Sequence, residues 1–502
     1  MAKKNKDQKE NSDLELQTII GNQITNGLGY LGGQLSDQRR KSLEYYLGDK
    51  LGTEIDGRSQ VVSTDVSDTI ESLLPNLLRV FTASDNVVRC EPMTAEDVPM
   101  ADQATAYLNH VFYKENNGFQ LLYNFFKDAL IEKNGFLKIY WDDSEKVDYE
   151  TYENLSPVEK EALQDTKDEI EIVDEEVFED EDAKEQFEAT LAQYEAQGMD
   201  VSQIQVPNFN LYNCKIKRIK KTGKVKIESV PPEEFLIERN AKTIDDADFV
   251  AHKVLMTRSD LVSMGYSQDE VDELPKSDLD IYNNEEIVRM RDIDSYNIST
   301  PTDSSTEKVL IYECYIKYDY DGDGIAELRK VVAAGSDGSH ILSNMPCDNI
   351  PFVTVTPIPM PHRFYGRSIS ELVEDVQLMK STVMRQLLDN MYLTNNNRVA
   401  IMDGMVNMDD LLTTRPGGIV RTKQPPNQVL QPLQAQPISQ QAFPLLSYLD
   451  SVREGRTGVS KEAQGLSPDT LNAKTATGVN ALMTQTQMRS ELIARVFAET
   501  GV

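Results

Sequence analysis

The sequence predicts an α+β fold in which helix predominates. Three observations carry that prediction. From Gly366 to Thr394, apolar residues recur every three or four positions behind a helix-start signal. Two further helical stretches follow, set apart by a short mixed segment and a polar loop. Upstream, short runs rich in Val, Ile, Phe and Tyr are bounded by turn residues, as antiparallel strands are.

The long helix opens at Ser368-Ile369-Ser370-Glu371, an S-x-x-E capping box. In such a box the Ser hydroxyl accepts from the Glu amide, and the Glu carboxylate accepts from the Ser amide. Ile369, Leu372, Val373, Val376, Met379, Val383, Leu387 and Met391 form one apolar stripe, with Glu374, Asp375, Lys380, Arg385 and Asp389 on the other faces. Neither Pro nor Gly interrupts 366–394, so the helix is expected to run ~40 Å at 1.5 Å per residue. A single stripe on so long a helix calls for a neighbouring helix along much of it.

Asn395–Ile438 reads as a small α/β insertion. Arg398–Met402 is a strand candidate. Asn407 caps a short helix, Met408–Leu412, with Asp409 and Asp410 in the first turn, where carboxylates suit the helix dipole. Arg415-Pro416-Gly417-Gly418 turns the chain into a second strand, Ile419–Lys423, and Pro425–Pro437 is expected to be extended. Helix resumes near Ser439, with Pro444 assigned to its first turn, and ends near Gly455–Gly458. A polar loop, 458–474, holds Lys461 and Lys474. The third helix covers 475–502, with Val479, Leu482, Met483, Leu492, Ile493, Val496 and Phe497 apolar.

The N-terminal part is expected to begin with a polar, mobile arm, 1–13. Helices follow at Ser36–Leu47, at Ser63–Phe81 with Pro75 inside, from Thr94 to about Glu115, and at Phe119–Glu132. Val87–Glu91 and Gly135–Trp141 are strand candidates. Trp141–Asp200 is an acidic excursion, read as a solvated helical one with mobile stretches. Asn210–Val230 reads as a hairpin turning at Thr222-Gly223. Its cations, Lys215, Lys217, Arg218, Lys220, Lys221, Lys224 and Lys226, are read as a solvated face balancing that acid, with DNA contact as the alternative. Short strands over Pro231–Arg258, two short helices over Ser259–Glu273 and an exposed loop over Ser277–Thr306 come next. Ile350–Ile358 is a buried-type strand.

Between strands at 309–318 and 325–333 lies Asp319-Tyr320-Asp321-Gly322-Asp323-Gly324. Alternate carboxylates followed by Gly open an EF-hand loop. Yet the twelfth position, which needs a bidentate Glu, is Lys330, and strands flank the loop instead of helices. Asp319, Asp321 and Asp323 therefore make either a plain hairpin turn or a Ca2+ or Mg2+ site. No cofactor is required by anything else in the sequence.

The formal charge of the 502 residues is −32. Trp141–Asp200 holds 23 acidic residues against 4 lysines, so that segment alone carries −19. No broad basic surface remains for tight non-specific DNA binding. No apolar run approaches the ~18 residues needed to span a bilayer, and Met1–Asp13 lacks a signal-peptide core, so a soluble intracellular product is expected. Four cysteines without C-x-x-C spacing suit reduced thiols. The four histidines show no H-E-x-x-H spacing. A phosphate loop, a G-x-S-x-G elbow and a kinase set are all missing, so no enzyme is expected.

Several segments together resemble the portal (head–tail connector) proteins of short-tailed, podovirus-type phages. They are Phe364-Tyr365-Gly366-Arg367-Ser368, Leu388 to Asn396, Arg415 to Val420, Arg456-Thr457-Gly458-Val459, Gly465 to Asp469, Val230 to Phe235 and Asp246 to His252. The resemblance implies a portal fold: an α/β wing domain (14–365), a first stem helix (366–394), a clip (395–438), a second stem helix (439–457), a tunnel loop (458–474) and a long helix leading to a crown that is absent or truncated here. It implies a dodecameric ring at one capsid vertex, channelling genome packaging and ejection. The implied partners are the chain itself, the major capsid protein, a scaffolding protein, the terminase large subunit, head–tail adaptor and ejection proteins, and double-stranded DNA passing without sequence preference. No membrane is involved; the implied location is the virion, after assembly in the host cytoplasm. Asn407, Asp409, Asp410 and Arg415 would face terminase or adaptor, and Lys461 and Lys474 would touch passing phosphates. Two other readings stay open: another phage ring or sheath protein, and a calcium-dependent binding protein.

Overall fold

The computed structural model describes residues 2–83, 87–94, 96–143, 145–164, 169–196, 209–221, 223–276, 284–289, 303–413, 415–433, 436–459 and 476–502. Two compact units are present: Met1–Lys138 with Ile227–Val502, and Ile139–Lys226. With 46% helix and 24% strand, the fold is compatible with α+β and is richer in helix. The strands are β1 (Gly135–Asp142), β2 (Glu145–Leu155), β3 (Glu169–Glu179), β4 (Asn210–Lys221), β5 (Lys224–Val230), β6 (Phe235–Ile237), β7 (Phe249–Thr257), β8 (Lys308–Tyr318), β9 (Glu327–Ala334), β10 (His340–Pro346), β11 (Phe352–Val355), β12 (Arg398–Ile401) and β13 (Leu430–Leu433).

The larger unit is built on an antiparallel sheet of order β10-β9-β8-β7-β6. Alternation decides its two faces. In β8, Leu310, Tyr312, Cys314 and Ile316 point to a cluster completed by Leu16, Ile20 and Ile24 of the N-terminal helix Ala2–Tyr30. Tyr315 points the other way, to Phe136, Phe235, Phe352 and Phe364. The segment expected as an arm is helical from Ala2, continuous with this helix. The helix kinks at Gly33 and continues as Ser36–Leu47.

A helical core lies beside the sheet. Helices Asp65–Thr82 and Gly118–Glu132 contribute Val66, Ile70, Leu73, Leu77, Leu122, Phe125 and Phe126. Ile369 and Val373 join from the long helix, and Ile493 and Phe497 from the C-terminal helix Ala476–Thr500. The Phe126 and Phe497 rings sit 4.8 Å apart.

Several expectations are corrected. Val87–Glu91 is not a strand: Asn109 and Thr105 of helix Val98–His110 take the amides of Val87 and Cys90, at 2.7 and 2.9 Å, that a sheet neighbour would otherwise need. The acidic excursion is not chiefly helical. It supplies two strands, β2 and β3, that flank β4 in a sheet of order β2-β4-β3, alongside helices Pro157–Gln164 and Glu181–Ala196. Asn210–Val230 is correspondingly no hairpin, because β4 lies between β2 and β3 while β5 neighbours β1. Charge explains the choice. Folding β5 back would set Lys224 and Lys226 against the cations of β4, and opposed like charges destabilise a sheet. In the observed register Lys217 bonds Glu171 at 3.0 Å and Arg218 bonds Glu150 at 3.0 Å. Part of Ser277–Thr306 is also not an exposed loop, since helix Asn284–Arg289 buries Glu285 and Glu286.

Candidate functional site

The capping box forms as its residues dictate: the Glu371 amide donates to Ser368 Oγ at 3.1 Å and the Ser368 amide to Glu371 at 3.4 Å. The helix it starts spans Ser370–Asn395. The apolar stripe is buried mainly over its first half, with Leu387 the buried member of the second. Ile369, Val373 and Val376 are buried, whereas Met379 and Met391 are 44% and 47% exposed.

A polar stripe replaces it. Gln377, Ser381, Arg385 and Asp389 follow one another by four residues, and each meets the chain between Tyr45 and Val66. Gln377 donates to Tyr45 O (2.9 Å) and accepts from the Val66 amide (2.8 Å). Ser381 Oγ accepts from the Ser63 amide at 2.9 Å, and Asp389 from the Ser59 amide at 2.8 Å. Arg385 donates to Val61 O (2.8 Å) and Thr53 Oγ1 (2.9 Å) and pairs with the Glu54 carboxylate. Segment 59–66 thus runs along the helix, its backbone satisfied by side chains in place of a sheet.

Helix Ser439–Thr457 packs on the same long helix. Arg456 pairs with Asp375 at 2.6 Å, Asp450 with Lys380 at 2.8 Å, and Asn390 bonds Gln436 O and the Ile438 amide at 2.9 and 3.1 Å. Residue numbers rise along one partner as they fall along the other, so the pair is antiparallel. Asp65, 1% exposed, ties the pair to the core: its carboxylate meets Lys380 (2.7 Å), Arg453 (3.1 Å) and Ser63 Oγ (2.5 Å). Burial would lower the Lys380 ammonium, but Asp450 and Asp65 outweigh it and hold it above the usual lysine range. Pro444 falls beyond the first turn of this helix. The bond it forfeits would end on Gln440, an exposed residue whose carbonyl water can satisfy.

The insertion between these helices pairs β12 with β13, in register Arg398↔Leu433 to Ile401↔Leu430. This corrects Ile419–Lys423 as a strand and 425–437 as merely extended. Helix Pro426–Val429 leads into β13, and Pro432 is tolerated because β13 has a free edge. Residues 419–423 are held otherwise, by a single Val406↔Thr422 bridge and by Arg421, which grips Asp410 at 2.6 and 3.0 Å. That grip holds the Asp410 carboxyl below its ordinary range. Asn407 caps helix Met408–Leu412 by accepting from the Asp409 amide at 3.0 Å. Asp409 and Arg415 are exposed. Lys461 and Lys474 lie outside the described residues.

At the β8–β9 turn, Asp319 accepts from the amides of Gly322 and Gly324, both at 2.8 Å. Asp323 accepts from Ile325 at 2.7 Å, and Gly322 and Gly324 hold φ of 80° and 88°. Asp319, Asp321 and Asp323 bring oxygens within 4.8 Å of one another, close enough for a cation, although the turn is satisfied by its own amides. Lys330, at the position where an EF-hand needs Glu, pairs with Glu313 at 2.8 Å.

A long capped helix, an antiparallel partner, a small insertion at their far end and a third helix returning to the core form one ordered module. The family model described as "Phage SU10 portal protein" matches residues 16–502. The chain belongs to that family. It is therefore a phage portal protein, in agreement with the resemblance read from its motifs. Portal proteins are structural components of the virion, and membership implies assembly into a ring in the phage capsid. Among the described residues, no helix of this portal chain is long and apolar enough to cross a membrane. The polar stripe Gln377-Ser381-Arg385-Asp389 and the Asp65 junction escaped sequence reading. Their only signal was a spacing of four among polar residues, which a solvated helix face shares.

Proposed function

We propose that copies of this chain close a dodecameric ring at one capsid vertex and that its bore carries DNA during packaging and ejection. In this reading 366–394 and 439–457 are the stem helices, 395–438 the clip, 458–474 the tunnel loop, and 14–365 the wing. The family match carries the reading. A second observation supports it. Tyr392, Phe443 and Tyr448 are 69%, 59% and 65% exposed along the antiparallel pair, and Leu412 and Ile419 of the insertion are 71% and 83% exposed. Large apolar side chains left open in one copy suit burial between copies. Head-to-tail contacts repeated by rotation close into a ring.

The clip would present Asn407, Asp409 and Arg415 to the terminase large subunit and later to head–tail adaptors. Asp410 serves that surface indirectly, by fixing Arg421. Major capsid, scaffolding and ejection proteins would meet other faces. Lys461 and Lys474 would touch DNA phosphates transiently: a few cations in an acidic wall allow sliding, where a basic bore would hold the duplex by counterion release. The test is packaging with a Lys461→Ala/Lys474→Ala double variant. Intact rings with altered packaged DNA are expected; unchanged packaging would remove the two lysines from the channel.

A further inference from the structure

Helix Asn284–Arg289 is packed inside out. Glu285 and Glu286 are 2% and 9% exposed, while Ile287 is 58% exposed. Only Val288 reaches the apolar core. Charged groups hold the rest. Arg289 meets Asp128 (3.5 Å) and Glu132 (2.6 Å) of helix Gly118–Glu132, and Glu233 (2.8 Å) of the turn before β6. Glu286 lies 3.9 Å from Lys253 of β7, whose neighbour His252 faces Glu234 at 3.4 Å. Arg39 of helix Ser36–Leu47, wholly buried, donates to Pro232 O at 2.9 Å and stacks on Tyr365.

Carboxylates crowd this seat. Glu132, Glu233 and Glu285, all buried, bring oxygens within 4.8 Å of one another beside Arg289, and Asp128 faces Arg289 and Lys127 of its own helix. Glu132 Oε2 and Glu285 Oε1 are buried without a hydrogen-bond partner. Carboxylates this close in a buried site repel one another, so they must take up protons or part. A metal would have to enter beside both guanidiniums, so protons are the better neutraliser.

We propose that helix Asn284–Arg289 is a proton-operated clasp, held on helices Ser36–Leu47 and Gly118–Glu132 when the crowded carboxylates are protonated and loosened when they ionise. Burial pushes Glu285 up to about 7 and Asp128 up to about 6, and Glu132 well above its ordinary range. A carboxyl whose folded pKa is raised stabilises the closed form fully below its ordinary value, and that contribution is lost as pH rises through the folded value. The clasp is therefore tightest below about pH 4.5 and loosest above about pH 7.

Hydrogen exchange of the full chain, with labelling times scaled for intrinsic chemistry, tests this. Amides of 284–289 should lose protection between about pH 5.5 and about pH 8 by up to about thirtyfold, the limit set over that range by the Glu285 shift. Glu285→Gln, a mimic of the protonated acid, should remain protected at both pH values, and Asp128→Asn should show part of that effect. Equal wild-type protection at both pH values would overturn the proposal. So would a Glu285→Gln variant as pH-sensitive as the wild type. Protection restored at about pH 8 by CaCl2 or MgCl2 would assign the site to a cation and overturn it as well.

Discussion

Asp65→Asn is the perturbation whose cost the structure defines best. The Asp65 carboxylate is 1% exposed and holds Lys380 at 2.7 Å and Arg453 at 3.1 Å. The amide keeps the volume but withdraws the charge. Lys380 retains Asp450 at 2.8 Å, so its loss is partial. Arg453, with a side chain 4% exposed and its Nε already without a partner, keeps no ion pair in the described structure. Removing one partner from a buried pair costs about 3–5 kcal/mol, and the surviving Asp450 contact places this case near about 3. At 1.36 kcal/mol per decade, that lowers protection of helix Ser439–Thr457 against local opening by about a hundredfold. Hydrogen exchange reads this directly. Asp450→Asn is the control: it leaves both Asp65 contacts in place and should cost less than about tenfold. If Asp65→Asn loses less than tenfold, or no more than Asp450→Asn, then Asp65 is not what joins the helix pair to the core.

Arg385→Met keeps the stem of the side chain but removes the donor to Val61 O and Thr53 and the cation from Glu54, which keeps only backbone amides; segment 48–64 should become protease-sensitive at a cost of about 3 kcal/mol, and unchanged cleavage would count against the staple. Gly223→Ala would place a Cβ 2.5 Å from the indole of Trp141, the only tryptophan, so its fluorescence should shift, with about 1–3 kcal/mol of destabilisation; an identical spectrum would refute the contact. Burial would raise Glu313, but Lys138 and Lys330 outweigh it and hold it at about 2, so its contribution is present above the ordinary value near 4.5 and lost as pH falls toward 2. Glu313→Gln should cost up to about 3 kcal/mol at neutral pH and much less near about pH 2.5, and equal costs in urea unfolding at the two pH values would contradict the assignment.

Much of the fold was legible where local chemistry decides it. The capping box at Ser368 and Glu371, the cap at Asn407 and the β8–β9 hairpin each follow from side chains within a few residues of the backbone they satisfy. The N-terminal helix was less legible. Leu16, Ile20 and Ile24 do repeat by four, but Gly21 and Gly27, weak helix formers, fall in the same run. In the fold these glycines allow close packing: a Cβ would lie 3.2 Å from Asp337 O at Gly21 and 3.0 Å from Leu236 at Gly27. Strand pairing was least legible. Asn210–Val230 carries the composition of a hairpin, and only the acidic strands from earlier in the chain draw β4 away from β5. Buried polar groups such as Arg385 and Glu285 look like surface residues, because burial depends on distant partners that sequence spacing does not reveal. Of the candidate site residues, Asp410 is held by Arg421, eleven residues along the chain, a pairing that spacing alone does not reveal.

The measurement that bears most directly on the central claim is negative-stain electron microscopy of the purified chain, with mass photometry of the same sample. Closed rings with a central channel and a mass near about twelve copies are expected, and substitution of Phe443 and Tyr448 by Ser should shift that mass toward single copies. Open filaments, or a small discrete oligomer without a channel, would contradict the ring account.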